Sequence, residues 1–197
     1  MAREWTFGPD DGALTLHTDV TGRAARTGHR LTIDVSRWSA AVVLADDVPE
    51  SVELSAEVDS LQVRSGEGGL TPMTAPERAV ARTNALKSLK ADRFPTITYR
   101  SRDITAVDAG YRVTGDLTIC GTTRPHTVDL DVDGAAGVPV ATGSPVATGS
   151  TVTTGSTVST GTVVSHRDFG IKPYSLMMGA LKVADEVRLE FRATVPE

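Results

Sequence analysis

The chain has 197 residues, enough for one large domain or two small ones with a sizeable core. Hydrophobic residues make up 40% of the sequence and charged residues 23%, which is typical of a globular protein and argues against wholesale disorder. The formal net charge of -5 argues against a nucleic-acid partner, because binding phosphates requires a basic face.

Most apolar residues recur at every second position, which is the pattern of strands with one buried face. In chain order the alternating segments are 14–16, 31–35, 52–58, 97–99, 111–113, 117–119, 128–132 and 187–191. Polar residues such as Thr32 and Asp34 fill the intervening positions. About eight antiparallel strands are enough to close a barrel around one small ligand. The sequence therefore predicts an all-β fold, a closed antiparallel β-barrel with one short covering helix.

That helix is predicted for residues 74–91. Thr74, Pro76 and Glu77 form an N-terminal capping pattern, and the pair Phe94-Pro95 leads into the next strand. The apolar stripe of the helix is modest, so we expect it to cover an end or a side of the barrel. Basic residues gather on and just after the helix, and they indicate either a solvated face or a site for an anionic head group.

Residues 139–162 repeat a six-residue unit, reading PVATGS, PVATGS, TVTTGS and TVSTGT. Four such units are too few to bury a core as a parallel β-helix. The repeats are interpreted as a low-complexity loop inserted at about 135–160, whose last part re-enters the sheet from about Ser156. No linker separates self-sufficient halves, so residues 1–197 are predicted to form a single domain.

Motifs for chemistry are absent from the sequence. The four histidines and Cys120 show no spacing typical of a zinc site, and there is no nucleophile elbow or phosphate-binding loop. We therefore predict no metal, no cofactor and no catalytic residues. No apolar run approaches the roughly 20 residues of a membrane span, and residues 1–6 do not lead into a signal peptide, so we expect a cytoplasmic protein.

Several segments together resemble the YceI-like family: FPTITYRS (94–101), GYRVTGDLTICGTTRPHTVDLDV (110–132), RDFGI (167–171) and DEVRLEF (185–191). The first half matches more loosely, through GHRLTIDVSRWSA (28–40) and VDSLQVRSGEGGLTPM (58–73). The resemblance implies a lipocalin-like barrel that binds polyisoprenoids and related long apolar chains. It implies no catalytic residues. Many relatives carry a signal peptide, which this chain does not show.

For the binding site, the resemblance implies only that inward-facing residues line the lumen. The residues expected there are Leu31, Ile33, Leu54, Ile97, Tyr99, Tyr111, Val113, Leu117, Ile119, Leu189 and Phe191. Polar residues at the barrel mouth would orient a ligand, and the candidates for this polar gate are His29, Arg124, Lys172 and Tyr174. Periodicity does not reveal whether the lumen is open or filled.

The leading functional hypothesis is a protein that binds or carries an apolar ligand in its lumen, such as a polyisoprenoid, an isoprenoid quinone or a similar lipid. One alternative is an enzyme that uses a histidine or tyrosine as acid or base on an apolar substrate. Another is a ligand-free interaction or stress-related module with a filled barrel. The expected partner is thus an apolar small molecule; the oligomeric state stays open, with a dimer as one option.

Overall fold

The computed structural model describes residues 2–133 and 152–196. In these ranges the chain forms twelve β-strands and one α-helix, α1, at Ala75–Ser88. The strands are β1 (Ala2–Phe7), β2 (Gly12–Thr21), β3 (His29–Val35), β4 (Trp38–Ala45), β5 (Val48–Glu57), β6 (Leu61–Gly68), β7 (Thr96–Val107), β8 (Gly110–Ile119), β9 (Thr122–Asp133), β10 (Thr157–Ser165), β11 (Ser175–Leu176) and β12 (Leu181–Thr194).

All twelve strands belong to one antiparallel sheet that curls around an apolar core. Eleven of them follow the path β1-β4-β5-β7-β8-β9-β10-β12-β2-β3-β6, and β11 pairs with β12 beside it. The path has two ends, because no ladder joins β1 and β6 within the described ranges. The predicted all-β, antiparallel, lipocalin-like class with one helix is confirmed. The closed ring of about eight strands is corrected to this curled sheet with two ends.

Two strands that the predicted segments omit, β4 and β6, follow β3 and β5 after short bends. Only Ser36 and Arg37 separate β3 from β4, and only the 3-10 turn Val58–Ser60 separates β5 from β6. The buried Ser60 hydroxyl joins the two bends: it accepts a hydrogen bond from Arg37 N at 3.1 Å and donates one to Glu57 O at 2.7 Å. The alternation of apolar residues changes phase at each bend, from odd positions up to Val35 to even positions from Trp38, and from even positions up to Val58 to odd positions from Leu61.

Helix α1 begins with the predicted capping box. The Thr74 hydroxyl accepts from Glu77 N, and the Glu77 carboxylate accepts from Thr74 N at 2.6 Å. Arg82 fastens the helix to the sheet, because its guanidinium donates to Leu61 O at 2.6 Å and to Asp59 O. Arg82, one of the basic residues on the helix, therefore has a structural role. The described helices include none that is long and apolar enough to span a membrane.

Most of the predicted repeat loop, residues 134–151, lies outside the described residues. The described chain resumes at the buried Val152, and β10 begins at Thr157, next to the predicted point of re-entry at Ser156. The TVSTGT unit, which includes the last part of the predicted loop, pairs with β12 as the start of β10.

Candidate functional site

Strand β8 shows how the alternation of residue types builds the inner wall of the curled sheet. Tyr111, Val113 and Leu117 lie on its inner face and are buried. Arg112, between two of them, lies on the outer face and forms an ion pair with Asp129, with 2.7 Å between Nε and Oδ1. Such exposed pairs contribute little to stability. The inner face is therefore apolar and the outer face charged.

A cavity of about 170 Å³ lies inside the sheet, and every strand except β11 contributes to its lining. An engineered cavity of about 150 Å³ lined by Leu, Ile and Phe stays dry and binds benzene. The space in this sheet is comparable, and apolar residues dominate its lining. The interior is therefore not completely filled, and it has room for an apolar group.

The structure places eight of the eleven predicted lumen residues at this cavity: Leu54, Ile97, Tyr99, Tyr111, Val113, Leu117, Leu189 and Phe191. The other three do not line it. Ile33 and Ile119 are buried in the core, and Leu31 packs against the core. Alternation indicates which face a residue occupies, but not whether other side chains fill the space in front of it. Whether any of the eleven contacts a ligand stays a prediction.

None of the four candidates for a polar gate lines the cavity. The His29 ring lies 2.9 Å from Thr71 O, and Arg124 Nε donates to Asp168 O at 3.0 Å. Lys172 and Tyr174 are exposed. His29 and Arg124 lie near the starts of β3 and β9. The role of all four residues as a gate stays a prediction.

The cavity lining includes side chains that carry polar groups: Glu57, the phenols of Tyr99 and Tyr111, and three residues of β9 and β10. His126 and Thr162 line the cavity and contact each other, with 2.9 Å between Nε2 and Oγ1. Thr160 lines it too, and its Oγ1 is shielded from solvent without a hydrogen-bond partner among the described residues. We call His126, Thr160 and Thr162 the lumen polar cluster.

Sequence analysis missed this cluster, although the alternation carried a signal for it. His126 stands two residues before Val128, in phase with the inward positions of β9. Thr160 and Thr162 lie in phase with Val158 on β10, which also lines the cavity. A polar residue at an inward position of a strand was the available indication.

The cluster lies beside a short ladder of the sheet. β9 pairs with β8 from Thr122 to Asp131, but with β10 at only three positions, the last of which joins Asp131 to Ser159. Beyond that point β10 continues to pair with β12. The His126–Thr162 contact spans the gap through side chains. We call this gap the β9–β10 seam.

Burial shifts the titration of the groups that face the cavity. Desolvation lowers the pKa of His126, because burial disfavours the charged imidazolium. Burial, aided by the negative charge of Asp116, raises the pKa of Tyr99 to about 12. The Tyr99 hydroxyl donates to Val113 O at 3.0 Å and to His126 O at 3.2 Å, which favours its neutral form. Both side chains are therefore uncharged at neutral pH.

Metal-binding and thiol chemistry find little support in the described residues. They contain no group of three or more His, Cys, Asp or Glu side chains placed to hold a metal ion. Cys120 is a free thiol whose Sγ donates to Leu89 O at 3.0 Å, and burial raises the pKa of that thiol. The shift makes Cys120 a weaker nucleophile at neutral pH.

Comparisons with known proteins agree with this architecture. The model of the YceI-like domain matches residues 5–195. The structure resembles BcnA of Burkholderia cenocepacia, with a TM-score of 0.60 and 18% identity over 91% of this chain and 94% of that one. It also resembles the Campylobacter jejuni YceI protein, with a TM-score of 0.58 and 14% identity over 84% of this chain and 85% of that one. These likenesses show the fold alone. A search of the curated proteins gave no match.

Proposed function

This chain belongs to the YceI-like family, and from that premise we propose that it binds an apolar ligand, such as a polyisoprenoid, an isoprenoid quinone or a similar lipid, inside its curled sheet. The observation that carries the proposal is the open, largely apolar cavity at the centre of the fold. Each methylene group that moves from water into such a space contributes about 0.8 kcal/mol. The free energy of binding would thus come mainly from burial of apolar surface.

The volume of the cavity limits how a long ligand can be held. About 170 Å³ accommodates a group of roughly benzene size. A polyisoprenoid is much longer, so it would place one end in this space and extend beyond it, or widen the lumen when it binds. The β9–β10 seam, whose ladder has three residue pairs, is a place where such widening would break few backbone hydrogen bonds.

The geometry favours binding over catalysis. An acid–base mechanism would be supported by a lumen histidine with a carboxylate partner. The structure instead pairs His126 with the Thr162 hydroxyl, while Glu57, the acidic residue at the cavity, pairs with Arg37 at 2.5 Å. We therefore propose a binding protein without catalytic residues or a cofactor.

A cavity-filling substitution tests this function. Ala40 is buried and lines the cavity, whereas its neighbour Ala41 lies on the outer face of the same strand. We expect Ala40→Leu to weaken binding of the neutral fluorescent probe N-phenyl-1-naphthylamine about tenfold, because the added side chain occupies ligand space. Ala41→Leu adds the same atoms outside and should bind the probe like the wild type.

Fluorescence titration of the three proteins measures the effect, with circular dichroism to establish that each is folded. Equal probe affinity in the wild type and the folded Ala40→Leu variant would reject the cavity as the binding site. A wild-type protein that binds neither the probe nor added isoprenoids would reject the function itself.

A further inference from the structure

We propose that one end of the curled sheet docks on the surface of a lipid bilayer that contains anionic lipids. The docking surface comprises residues 22–28, 69–74 and 172–180, which we call the loop end. The inference goes beyond the proposed function and does not depend on what the cavity binds.

The first support is that the three segments of the loop end lie side by side. They adjoin four neighbouring antiparallel strands: β2 and β6 end there, and β12 and β3 begin there. Ala24 N donates to Ala180 O at 2.8 Å, and the His29 ring lies 2.9 Å from Thr71 O. Neighbouring strands are about 4.8 Å apart, so four of them span roughly 14 Å. The three segments therefore form one surface.

The second support is that this surface exposes apolar side chains. Leu70 is 81% exposed, Met178 is fully exposed, and Tyr174 and Leu176 are exposed as well. The other large apolar side chains that are exposed in the described ranges are single valines on β5, α1 and β10. Apolar groups that gather at one place on a surface mark an interaction site.

The third support is the backbone conformation of Met178, at the tip of the β11–β12 hairpin. Its φ is 56°, in the left-handed region that glycine and asparagine adopt most readily. Another residue in this region costs free energy. The hairpin therefore holds a long apolar side chain outward in a conformation that the turn itself does not favour, which points to a use outside the fold.

The fourth support is the charge of the loop end. It contains three basic residues and no acidic one: Arg23, Arg26 and Lys172. All three are exposed, and none forms an ion pair within the described part of the chain. The adjoining strand ends are balanced, with Arg30 and Lys182 against Asp19 and Glu67. The surface as a whole is therefore positive.

The opposite end of the same strands has the reverse charge. There the turn 8–11 carries Asp10 and Asp11 and no basic residue, and Arg37 is already paired with Glu57 and Asp59. On a chain with a net charge of -5, positive groups thus lie beside exposed apolar groups at one end only of these strands. Apolar insertion together with attraction to anionic lipids is how proteins bind at a bilayer surface. Each basic residue near such a surface contributes about fivefold in affinity.

Co-sedimentation with extruded vesicles tests the charge argument. We expect the wild type to bind phosphatidylcholine vesicles that contain about one-third phosphatidylglycerol at least about tenfold more tightly than pure phosphatidylcholine vesicles. Arg23→Gln combined with Arg26→Gln should weaken binding to the anionic vesicles about tenfold to thirtyfold, because two charges are lost. Lys87→Gln combined with Arg192→Gln removes the same charge outside the loop end and should bind like the wild type.

A second pair of variants tests the apolar side chains. Leu70→Asn combined with Met178→Asn should weaken binding to the anionic vesicles about tenfold or more, because two apolar groups no longer enter the bilayer surface. Asparagine tolerates the left-handed backbone at Met178, so the variant should stay folded, as circular dichroism can establish. The control is Val48→Asn combined with Val163→Asn, at exposed valines outside the loop end, and it should bind like the wild type.

Wild-type protein that does not bind the anionic vesicles, or loop-end variants that bind like their controls, would overturn the inference. Such a protein can still bind N-phenyl-1-naphthylamine, so the proposed function stands or fails separately. The other possible occupant of the loop end is a second copy of this chain. Sedimentation velocity without vesicles would then show a dimer for the wild type and a monomer for Leu70→Asn combined with Met178→Asn, which would also overturn the inference. We expect both proteins to have the same mass.

Discussion

At the scale of single residues, the inner wall depends on the contact between Tyr99 and Gly115. A Cβ atom at Gly115 would lie 2.8 Å from Tyr99 Cζ and 2.3 Å from Arg100 O. The glycine therefore leaves the space that the aromatic ring occupies. The ring of Tyr99, on β7, lies over Gly115. Its hydroxyl reaches Val113 O on the neighbouring strand β8 and His126 O on the next strand, β9. One side chain thus links three strands beside the cavity.

Removal of the Tyr99 hydroxyl should weaken the fold measurably. We expect Tyr99→Phe to lower the free energy of unfolding by about 1 kcal/mol at pH 7, because two backbone carbonyls lose a donor. Urea unfolding followed by circular dichroism measures the change. Tyr174→Phe, at an exposed phenol, is the control and should differ little from the wild type.

The wild type and Tyr99→Phe should respond differently to alkaline pH. Folding raises the pKa of Tyr99 from 10.0 to about 12, so the native state prefers the neutral phenol. Its contribution is fully present below pH 10 and is lost as the pH rises toward 12. The stability difference between the wild type and Tyr99→Phe should therefore shrink over this interval. A difference that stays constant up to pH 12 would contradict the shift.

At the scale of elements, the sheet is shaped by where strands bend and where they separate. The paired bends at Ser36–Arg37 and Val58–Ser60 turn two long segments together, so their inner faces follow the curve of the wall. The β9–β10 seam does the opposite, since two neighbouring strands diverge after three residue pairs. The paired bends are held by several hydrogen bonds, whereas the β9–β10 seam is held by side-chain contacts. We expect rigidity at the bends and opening at the seam.

The bends should be sensitive to loss of a single hydroxyl. In Ser60→Ala, Arg37 N and Glu57 O lose their partner in a buried position, which we expect to cost about 1–3 kcal/mol of unfolding free energy. Ser39→Ala, at an exposed serine of β4, is the matched control. Chemical denaturation of the wild type and both variants measures the free energies of unfolding to be compared. An effect of Ser60→Ala no larger than that of Ser39→Ala would show that the bends do not depend on this hydroxyl.

At the scale of the whole molecule, we propose one domain in which part of the repeat region is an insertion. The third unit, residues 151–156, contributes the buried Val152 and Ser156, and the fourth forms the start of β10. Valines six positions apart, Val152 and Val158, both line the cavity. The last two units are therefore built into the fold, whereas the first two lie outside the described residues.

Two deletions of equal length separate these roles. Removal of residues 145–150 should change the free energy of unfolding by less than about 0.6 kcal/mol, since loop-closure entropy depends weakly on length. Removal of residues 151–156 should cost about 2 kcal/mol or more, because buried side chains are lost from the core. Thermal and urea unfolding compare the two. Similar destabilisation by both deletions would contradict the insertion.

The sequence by itself determined the class of the fold, the position of helix α1 and the family. Period-two alternation indicates strands, and the capping residues Thr74 and Glu77 indicate where the helix begins. These signals are local, so they can be read without knowing which segments meet. The same alternation indicates that residues such as Val113 and Leu117 lie on the inner face, and both line the cavity.

Only the tertiary structure decided which inner faces border open space and which polar groups converge. Ile33 and Val113 have the same kind of pattern, yet the first packs into the core and the second lines the cavity. His126 and Thr162 are 36 positions apart, and their contact depends on how β9 and β10 diverge. Free volume and long-range contacts arise from the packing of distant segments, which local periodicity does not encode.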